Sequence, residues 1–233
     1  MAEFINTVDV IGDEALTDSI ISRRITECND DNIISIGMDA FRDCTALASC
    51  KFLSATSIGS EAFRNCTALA TGEFPSVTDI ADYAFYDCSS LSSIYFPNVM
   101  TIGENAFAGC TLITNVCFAD VTTINNSTFS DCAALASADF PSATSIGTYV
   151  FNGCTALKSL ILRNQNGVCT LGGTDSLNKT AIKSRTGYIY VPAALVDSYK
   201  AATNWSTFAS QFRALEDYTV DGTTTGELDP NKI

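Results

Sequence analysis

Apolar and polar positions recur along the centre of this chain with a period of 22 residues, and a phenylalanine falls at every eleventh position. Self-similarity at a fixed period of this length is the signature of stacked structural units. The phenylalanines fill two different roles within each unit. The first set is followed three residues later by cysteine: Phe41, Phe63, Phe85, Phe107, Phe129 and Phe151. The second set is preceded by apolar positions and is often followed by proline: Phe52, Phe74, Phe96, Phe118 and Phe140.

The third unit, residues 79–100, shows how this pattern predicts local structure. Leu91, Ile94 and Phe96 have the spacing of a leucine-rich-repeat strand, which turns these three side chains inward and the residues between them outward. A second, shorter extended segment is predicted near residues 99–102. The Ile-Gly-x-x-Ala-Phe stretch before each cysteine predicts one helical turn. An eleven-residue period can also indicate a right-handed coiled coil, but the repeated prolines and β-branched residues exclude a continuous helix.

A tight turn is predicted immediately before each cysteine of the first set. The residue there is always aspartate, asparagine or glycine, the types that tolerate a left-handed backbone or an Asx turn. These residues are Asp43, Asn65, Asp87, Gly109, Asp131 and Gly153.

The ends of the chain depart from the repeat and predict caps. Residues 1–34 are predicted to hold a short helix at residues 13–23 and an extra strand at residues 25–28, and six units follow in residues 35–162. Residues 163–217 are interpreted as an inserted loop over residues 163–186, a seventh strand and a helical cap. Residues 218–233 are predicted to be a flexible tail.

The seventh strand and the cap depend on two short patterns. Ile189-Tyr190-Val191-Pro192 matches Ile94-Tyr95-Phe96-Pro97 position for position, and residues 192–202 favour a helix with a proline in its first turn. Trp205, Phe208 and Phe212 have the spacing to cover the open end of the stack.

The repeated motif Ile-Gly-x-x-Ala-Phe-x-x-Cys-Thr-x-Leu, followed by Phe-Pro, resembles the BspA-like leucine-rich-repeat family over residues 35–162. The resemblance implies an α/β repeat solenoid, a right-handed coil with a parallel strand ladder and terminal caps. Members of this family are typically surface-exposed recognition or adhesion modules of bacteria, some protists and phages or prophages. The start of the chain shows no secretion signal, which leaves room for a phage-encoded host-recognition protein or a domain of a larger chain.

Composition excludes several classes of function. The net charge of −13 disfavours nucleic acid and anionic membranes as partners. The absence of histidine excludes Ser-His-Asp and Cys-His catalysis and mixed Cys/His zinc sites. No run of 18 apolar residues predicts a membrane-spanning helix. Carboxylates are plentiful, but a smooth ladder lacks the cleft that catalysis needs, and Asp175 is the sole acid of the predicted insertion. We therefore expect no enzyme activity and no cofactor.

The ten cysteines leave three interpretations open. Small buried thiols are favoured over disulfides between adjacent units and over a metal site, since the sequence contains no C-x-x-C pair. Cys28 and Cys50 are expected to point inward. Cys117 is expected to be a solvent-facing thiol open to oxidation. A calcium site on the aspartate column is disfavoured because Gly109 and Gly153 interrupt it.

The outward position before each inner phenylalanine is the predicted ligand-binding column. Its residue changes at every unit while the inward positions repeat, and Tyr95 and Tyr190 are the strongest candidates for contact. The column comprises Lys51, Glu73, Tyr95, Cys117, Asp139, Ile161 and Tyr190. The flanking outward residues are Ser49, Thr71, Ser93, Asn115, Ser137 and Ser159. Outward residues also differ when nothing constrains them, and Tyr83, Tyr86 and Tyr149 form a competing outward set.

The leading hypothesis is a non-enzymatic module that binds a protein or a cell-surface glycan through this column, at a cell surface or on a virion. One alternative is a structural spacer. Another is an accessory domain of a larger assembly or a cryptic hydrolase.

Overall fold

Each 22-residue unit contributes one strand to each of two parallel ladders. The computed structural model describes residues 10–12, 24–217, 219–220 and 223–224. The strands of the long ladder are Glu27–Asn29, Ser49–Lys51, Thr71–Glu73, Ser93–Tyr95, Asn115–Cys117, Ser137–Phe140, Ser159–Leu162, Tyr188–Val191 and Phe212–Ala214. The strands of the short ladder are Val10–Ile11, Ser35–Ile36, Ser57–Ile58, Asp79–Ile80, Thr101–Ile102, Thr123–Ile124, Ser145–Ile146 and Thr170–Leu171.

The register of both ladders confirms the predicted repeat. Cys28 pairs with Cys50, Cys50 pairs with Gly72, and Gly72 pairs with Ile94, so partners lie one period apart. The chain is therefore an α/β repeat solenoid, as predicted. The extra strand before the first unit is confirmed at Glu27–Asn29, whereas the pairing of Val10–Ile11 with Ser35–Ile36 was not predicted. The helix predicted for residues 13–23 lies outside the described residues.

The two sets of phenylalanines stack as separate columns through the core. Rings of the cysteine-linked set lie 5.0–5.9 Å apart between centroids and within 1–5° of parallel, from Phe41 to Phe151. The second set stacks at 5.1–6.3 Å where neighbouring rings contact each other. Most of these rings are among the largest fully buried side chains, so each removes a large apolar area from water.

The turn before each cysteine is left-handed, as predicted, with φ between 56° and 82° from Asp43 to Gly153. Unlike the prediction, the preceding segment forms consecutive hydrogen-bonded turns instead of a helical turn. A second left-handed position, missed by the sequence analysis, lies four residues earlier in each unit. It is occupied by Asp39, Glu61, Tyr83, Asn105, Ser127 and Tyr149. This backbone aims main-chain N–H groups at the next coil, where Phe41 N–H donates to the Ala62 carbonyl at 2.7 Å.

The column of buried cysteines is structural. All ten cysteines are free thiols, and in this column the Sγ atoms donate to phenylalanine carbonyls at 3.0–3.2 Å, as from Cys88 to Phe63. Burial raises the pKa of Cys44 to about 12 and that of Cys88 above its ordinary value. The interpretation as small core thiols is confirmed. The prediction for Cys28 is only partly met, since its side chain is half-buried.

Residues 163–186 form a lengthened seventh unit instead of an inserted loop. Thr170–Leu171 pairs with Ser145–Ile146 after 25 residues, and a 3-10 helix follows at Thr174–Leu177. Leu171, Leu177 and Ile182 are buried in the common core. The polar composition of this segment concealed these three apolar anchors.

The C-terminal end closes the stack as predicted. A 3-10 helix at Ala193–Leu195 leads into the α-helix Val196–Ala201, and Trp205, Phe208 and Phe212 are buried. Trp205 Nε1 donates to the Cys169 carbonyl at 2.6 Å, which ties the cap to the last repeat.

Two further strand pairings in this region were not predicted. Phe212 begins a strand that pairs with Tyr188–Val191 and so adds a final rung to the long ladder. In the described part of the tail, Thr219–Val220 pairs antiparallel with Thr223–Thr224.

We expect Phe85→Ala to lower the free energy of unfolding by about 3–5 kcal/mol, because the ring is fully buried between Phe63 and Phe107. Met100→Ala, at a side chain that is 59% exposed, should stay within about 0.5 kcal/mol of the wild type. Urea unfolding followed by circular dichroism measures both. Equal losses would contradict a stabilising role for the ring column.

We expect Gly109→Ala to destabilise the chain, because its φ is +77° and an added Cβ would overlap the Asp87 Oδ1 atom. In an Asp87→Ala background the overlap disappears, so the loss should fall to about 1–2 kcal/mol, the cost of the backbone alone. A thermal double-mutant cycle measures the difference. Identical losses in both backgrounds would show that Asp87 does not restrict this turn.

Candidate functional site

The residues of the predicted column do lie in line along the outward side of the long ladder, which we call the ladder face. Lys51, Glu73 and Tyr95 occupy successive rungs and are register partners. The other four form a second run of partners in the order Cys117, Asp139, Ile161 and Tyr190. The strands that carry Tyr95 and Cys117 are not paired, so the column consists of two segments.

The first segment is accessible and carries mixed charge. Lys51 Nζ lies 3.5 Å from Glu73 Oε2, with both side chains well exposed to solvent. An exposed pair of this kind contributes little to stability, so both groups can exchange partners at low cost. The half-buried Tyr95 follows on the next rung and adds an aromatic surface with a hydroxyl group.

The prediction that Asp139 and Ile161 are exposed is wrong. Their relative exposures are 1% and 0%. Arg163 follows the strand Ser159–Leu162 and reaches back to the preceding rung, where its Nε donates to the Asp139 oxygens at 2.9 and 3.1 Å. Ile161 lies between Asp139 and Tyr190 in the register and one outward position before Arg163. The sequence pattern predicts which way these side chains point but not whether neighbouring side chains bury them.

The Asp139–Arg163 contact is a buried ion pair. Arg163 Nη2 lies 2.7 Å from Asp139 Oδ2, and both side chains are largely shielded from water. Burial raises the pKa of Asp139 above its ordinary value, while the hydrogen bond and charge of Arg163 act in the opposite direction. Asp139 is therefore committed to an internal partner and does not present a free charge to a ligand.

Cys117 is half-buried, which corrects the prediction of a solvent-facing, oxidation-prone thiol. Burial raises its pKa to about 11, with the charge of Asp139 adding to the rise and Arg163 opposing it. The thiol is therefore protonated at neutral pH. Because the thiolate is the reactive form, Cys117 is less reactive than an ordinary exposed cysteine.

Tyr190 lies in an aromatic and cationic cluster at the far end of the ladder face. The rings of Tyr188 and Tyr190 meet edge to face at 6.3 Å, and the Arg213 guanidinium lies 4.3 Å from the Tyr188 ring centroid. Neither Tyr188 nor Arg213 was predicted from the sequence as a site residue. Tyr188 could have been found from the two-residue period of the strand, whereas Arg213 lies on the last, unpredicted strand.

The competing set of tyrosines lies among the turns, which we call the turn side. The Arg64 guanidinium lies 5.9 Å from the Tyr83 ring and 5.1 Å from the Tyr86 ring, and both tyrosines are half-buried. Tyr149 is 49% exposed and belongs to a different unit. The structure therefore does not bring this set together as one surface.

The described residues contain no group of three or more acidic or thiol side chains that could hold a metal ion. In the aspartate column, Asn65 Nδ2 donates to Asp43 Oδ1 at 2.7 Å, so these polar groups are used between coils. No helix in the described ranges is long and apolar enough to cross a bilayer.

The sequence profile of the BspA-type leucine-rich-repeat region matches this chain in six copies, over residues 9–135 and 78–189. The chain belongs to the BspA-type leucine-rich-repeat family. A search of curated proteins gives no match.

Two solved bacterial structures illustrate the likeness. A leucine-rich-repeat protein of T. pallidum is 29% identical, with a TM-score of 0.59, over 62% of this chain and 72% of that one. A leucine-rich-repeat protein of Bacteroides ovatus is 30% identical, with a TM-score of 0.61, over 68% of this chain but only 42% of that one. This BspA-type chain thus shares its fold with leucine-rich-repeat proteins of bacteria.

We expect Arg163→Ala to lower the free energy of unfolding at pH 7 by about 3–5 kcal/mol, because it leaves the Asp139 carboxylate buried without its charged partner. The pKa of Asp139 in the folded variant then rises further above the unfolded value. Folding therefore takes up a proton between those two pKa values, and stability increases as the pH falls through that window. Denaturant unfolding between pH 7 and pH 4 measures the effect.

The matched control is the double variant Arg163→Ala with Asp139→Asn, which removes the buried charge. It should recover part of the loss at pH 7 and show a weaker pH dependence. A loss from Arg163→Ala that is the same at pH 7 and pH 4 would contradict this account.

Proposed function

We propose that this BspA-type chain is a non-enzymatic recognition module that binds a protein or a glycan at a cell surface. The ligand-binding surface is the accessible part of the ladder face, namely Lys51, Glu73 and the half-buried Tyr95, together with the tyrosines at its far end. The observation that carries the proposal is the contrast between the two sides of the long ladder. The inward leucine and phenylalanine rows repeat almost unchanged and the central inward position varies only among small and apolar residues, while the accessible outward residues differ in charge and shape.

Solenoid architecture supports this assignment. The inward positions are restricted in size and polarity because each side chain packs on the same position of the next coil. The outward positions have no such requirement, and extended solenoid faces are commonly used for binding. Tyr95 and Tyr190 add large, rigid surfaces with a polar tip, the type of residue that often anchors an interface.

The surroundings of the acidic groups favour binding over catalysis. Asp139 is paired with Arg163, and Glu73 lies beside Lys51 on an open surface. Hydrolysis by paired carboxylates needs two acids whose pKa values are set apart within a cleft. The ladder face supplies neither condition at these residues. A location at a cell surface, or on a virion that recognises its host, is part of the proposal.

A structural spacer is the second candidate, favoured by the extensive hydrogen bonding between coils on the turn side. Under this alternative the ladder face holds other parts of an assembly apart and recognises nothing itself. The two candidates differ in what they predict for substitutions of exposed tyrosines.

The labelled chain is first screened on a glycan array and on whole bacterial cells, and the variants Tyr95→Ala and Tyr190→Ala are then measured against the best target. We expect each variant to bind at least about tenfold more weakly, because aromatic anchors at interfaces contribute the largest energies.

Tyr149→Ala is the control, because this exposed tyrosine lies on the turn side and its loss should leave the affinity unchanged. Circular dichroism verifies that each variant is folded. Full binding by both ladder-face variants would favour a spacer or a binding surface elsewhere.

A further inference from the structure

Both ladders are interrupted along one continuous stretch of the chain, where residues 93–102 lie beside residues 115–124. Ser93–Tyr95 does not pair with Asn115–Cys117, and Thr101–Ile102 does not pair with Thr123–Ile124, although the equivalent strands before and after them do pair. We call this interruption the seam. It divides the ladder face between Tyr95 and Cys117.

The main-chain hydrogen bonds of the repeat stop at the seam. On neighbouring rungs Phe74 N–H donates to the Tyr95 carbonyl at 3.1 Å, and Phe118 N–H donates to the Asp139 carbonyl at 3.2 Å. Ala136 N–H likewise donates to the Thr114 carbonyl at 2.7 Å. Within residues 24–217, neither Phe96 N–H nor Thr114 N–H makes the equivalent main-chain hydrogen bond across the seam.

At the short-ladder part of the seam, a side chain replaces the missing main-chain hydrogen bond. At closed rungs of the short ladder a main-chain N–H bonds the coil before it, as from Gly103 to Ile80 at 2.8 Å and from Gly147 to Ile124 at 2.8 Å. At the seam the donor to the Ile102 carbonyl is the Asn125 side-chain amide, at 2.8 Å. The coils are therefore further apart here than at a closed rung.

The turn side remains joined at the same level. Phe85 N–H donates to the Ala106 carbonyl at 2.8 Å, and Phe107 N–H donates to the Thr128 carbonyl at 2.9 Å. The rings of Phe85 and Phe107 stack at 5.3 Å with an angle of 1° between their planes. The coils therefore separate along the two ladders, which we call the ladder side, and remain bonded along the turn side.

The inner phenylalanine column is also disturbed at the seam. Phe96 stacks on Phe74 at 5.1 Å, and Phe118 stacks on Phe140 at 6.3 Å, but no ring contact joins Phe96 to Phe118 in this described region. Phe96 is 7% exposed, whereas Phe74 and Phe140 are fully buried. Ile94 is also only half-buried. The separation therefore reaches the core.

The packing on either side of the seam accounts for its position. At Gly72 an added Cβ would lie 2.6 Å from Cε2 of Phe74, so the phenylalanine ring occupies the space above the central inward position. Strands away from the seam that carry this phenylalanine accordingly have a small residue at the central inward position. Strands away from the seam that have a large residue at this position lack the phenylalanine. The first kind comprises Cys50 with Phe52, Gly72 with Phe74 and Ala138 with Phe140. The second kind comprises Leu160 with Leu162 and Ile189 with Val191.

The two rungs at the seam break this rule. Ile94 accompanies Phe96, and Val116 accompanies Phe118, so two consecutive rungs each combine a β-branched side chain with a phenylalanine. Overfilled cores force shifts of the backbone. The coils move apart on the ladder side to accommodate the excess volume, because only the pairing of strands resists their separation there.

We infer that the seam is a hinge: the ladder side opens and closes between residues 93–102 and residues 115–124, and the stacked turns on the turn side act as the pivot. Motion there changes the separation of Tyr95 from Cys117 and so splits the ladder face into two halves of variable spacing. This inference does not depend on the proposed function.

Amide hydrogen exchange of the full chain tests the open seam and its cause. We expect Phe96 and Thr114 amides to exchange at least about tenfold faster than those of Phe74 and Ala136, because exchange follows local opening. In the double variant Ile94→Ala with Val116→Ala, which restores the small central residue, exchange at Phe96 and Thr114 should slow.

Leu160→Ala is the matched control, because it removes bulk from a closed rung that has no phenylalanine to fill the space. It should leave the Phe96 and Thr114 amides no better protected than before. Wild-type protection equal to that of Phe74 and Ala136 would overturn the open seam. A double variant without slower exchange at these sites would overturn crowding as its cause.

A disulfide trap tests the motion and does not depend on the core variants. In a Cys117→Ser background, Ser93→Cys with Asn115→Cys places two outward thiols across the seam, and Ser49→Cys with Thr71→Cys does so across a paired rung. Disulfide bonds need Cα atoms about 4.4–6.8 Å apart, so only a closed rung can form one.

We expect the Ser49/Thr71 pair to cross-link rapidly under mild oxidation, and the Ser93/Asn115 pair to cross-link completely but at least about tenfold more slowly, since the seam must first close. Equal rates would show that the seam is closed in solution and overturn the inference. Failure of the seam pair to cross-link would show a fixed gap and overturn the hinge.

Discussion

The fold depends on like side chains packing on their own copies one coil further along the chain. Phe63 meets Phe41 and Phe85 at the same 5.0 Å distance, and buried cysteine thiols donate to phenylalanine carbonyls in the coil before. Such a column requires that every rung supply the same volume at the same place. A stack of this kind distributes its stability over the interfaces between neighbours. A side chain of different volume therefore displaces its immediate neighbours in the stack, because more distant parts of the core cannot compensate for it.

The seam shows this constraint at work. Glycine at position 72 admits the Phe74 ring above it, while isoleucine at position 94 and valine at position 116 compete with Phe96 and Phe118 for the same space. The turn side, with its left-handed residues and continuous main-chain bonds, remains joined at the same level. The consequence is that strain between coils appears on the ladder side, which is also the side that carries the candidate ligand-binding residues.

The ladder face is less uniform than a column of outward positions suggests. At one end Lys51 and Glu73 form an exposed, weak pair, and at the other Asp139 is held by Arg163 away from water. The accessible charges of the predicted column are therefore those of Lys51 and Glu73, and Arg213 adds a positive group beside Tyr188. The net charge of −13 describes the whole chain and does not describe this surface.

The sequence alone determined the repeat, the inward rows, the left-handed residue before each cysteine, the seventh strand and the closure by Trp205, because each of these follows from periodicity and residue type. Only the tertiary structure decided that Asp139 and Ile161 are covered, that residues 163–186 complete a unit, and that the ladders part between Tyr95 and Cys117. These outcomes depend on contacts that periodicity does not specify, such as the ion pair of Arg163 with Asp139 and the competition of Ile94 with Phe96 for the same space. Periodicity specifies which way a side chain points, whereas the volume and reach of its neighbours decide whether it is exposed.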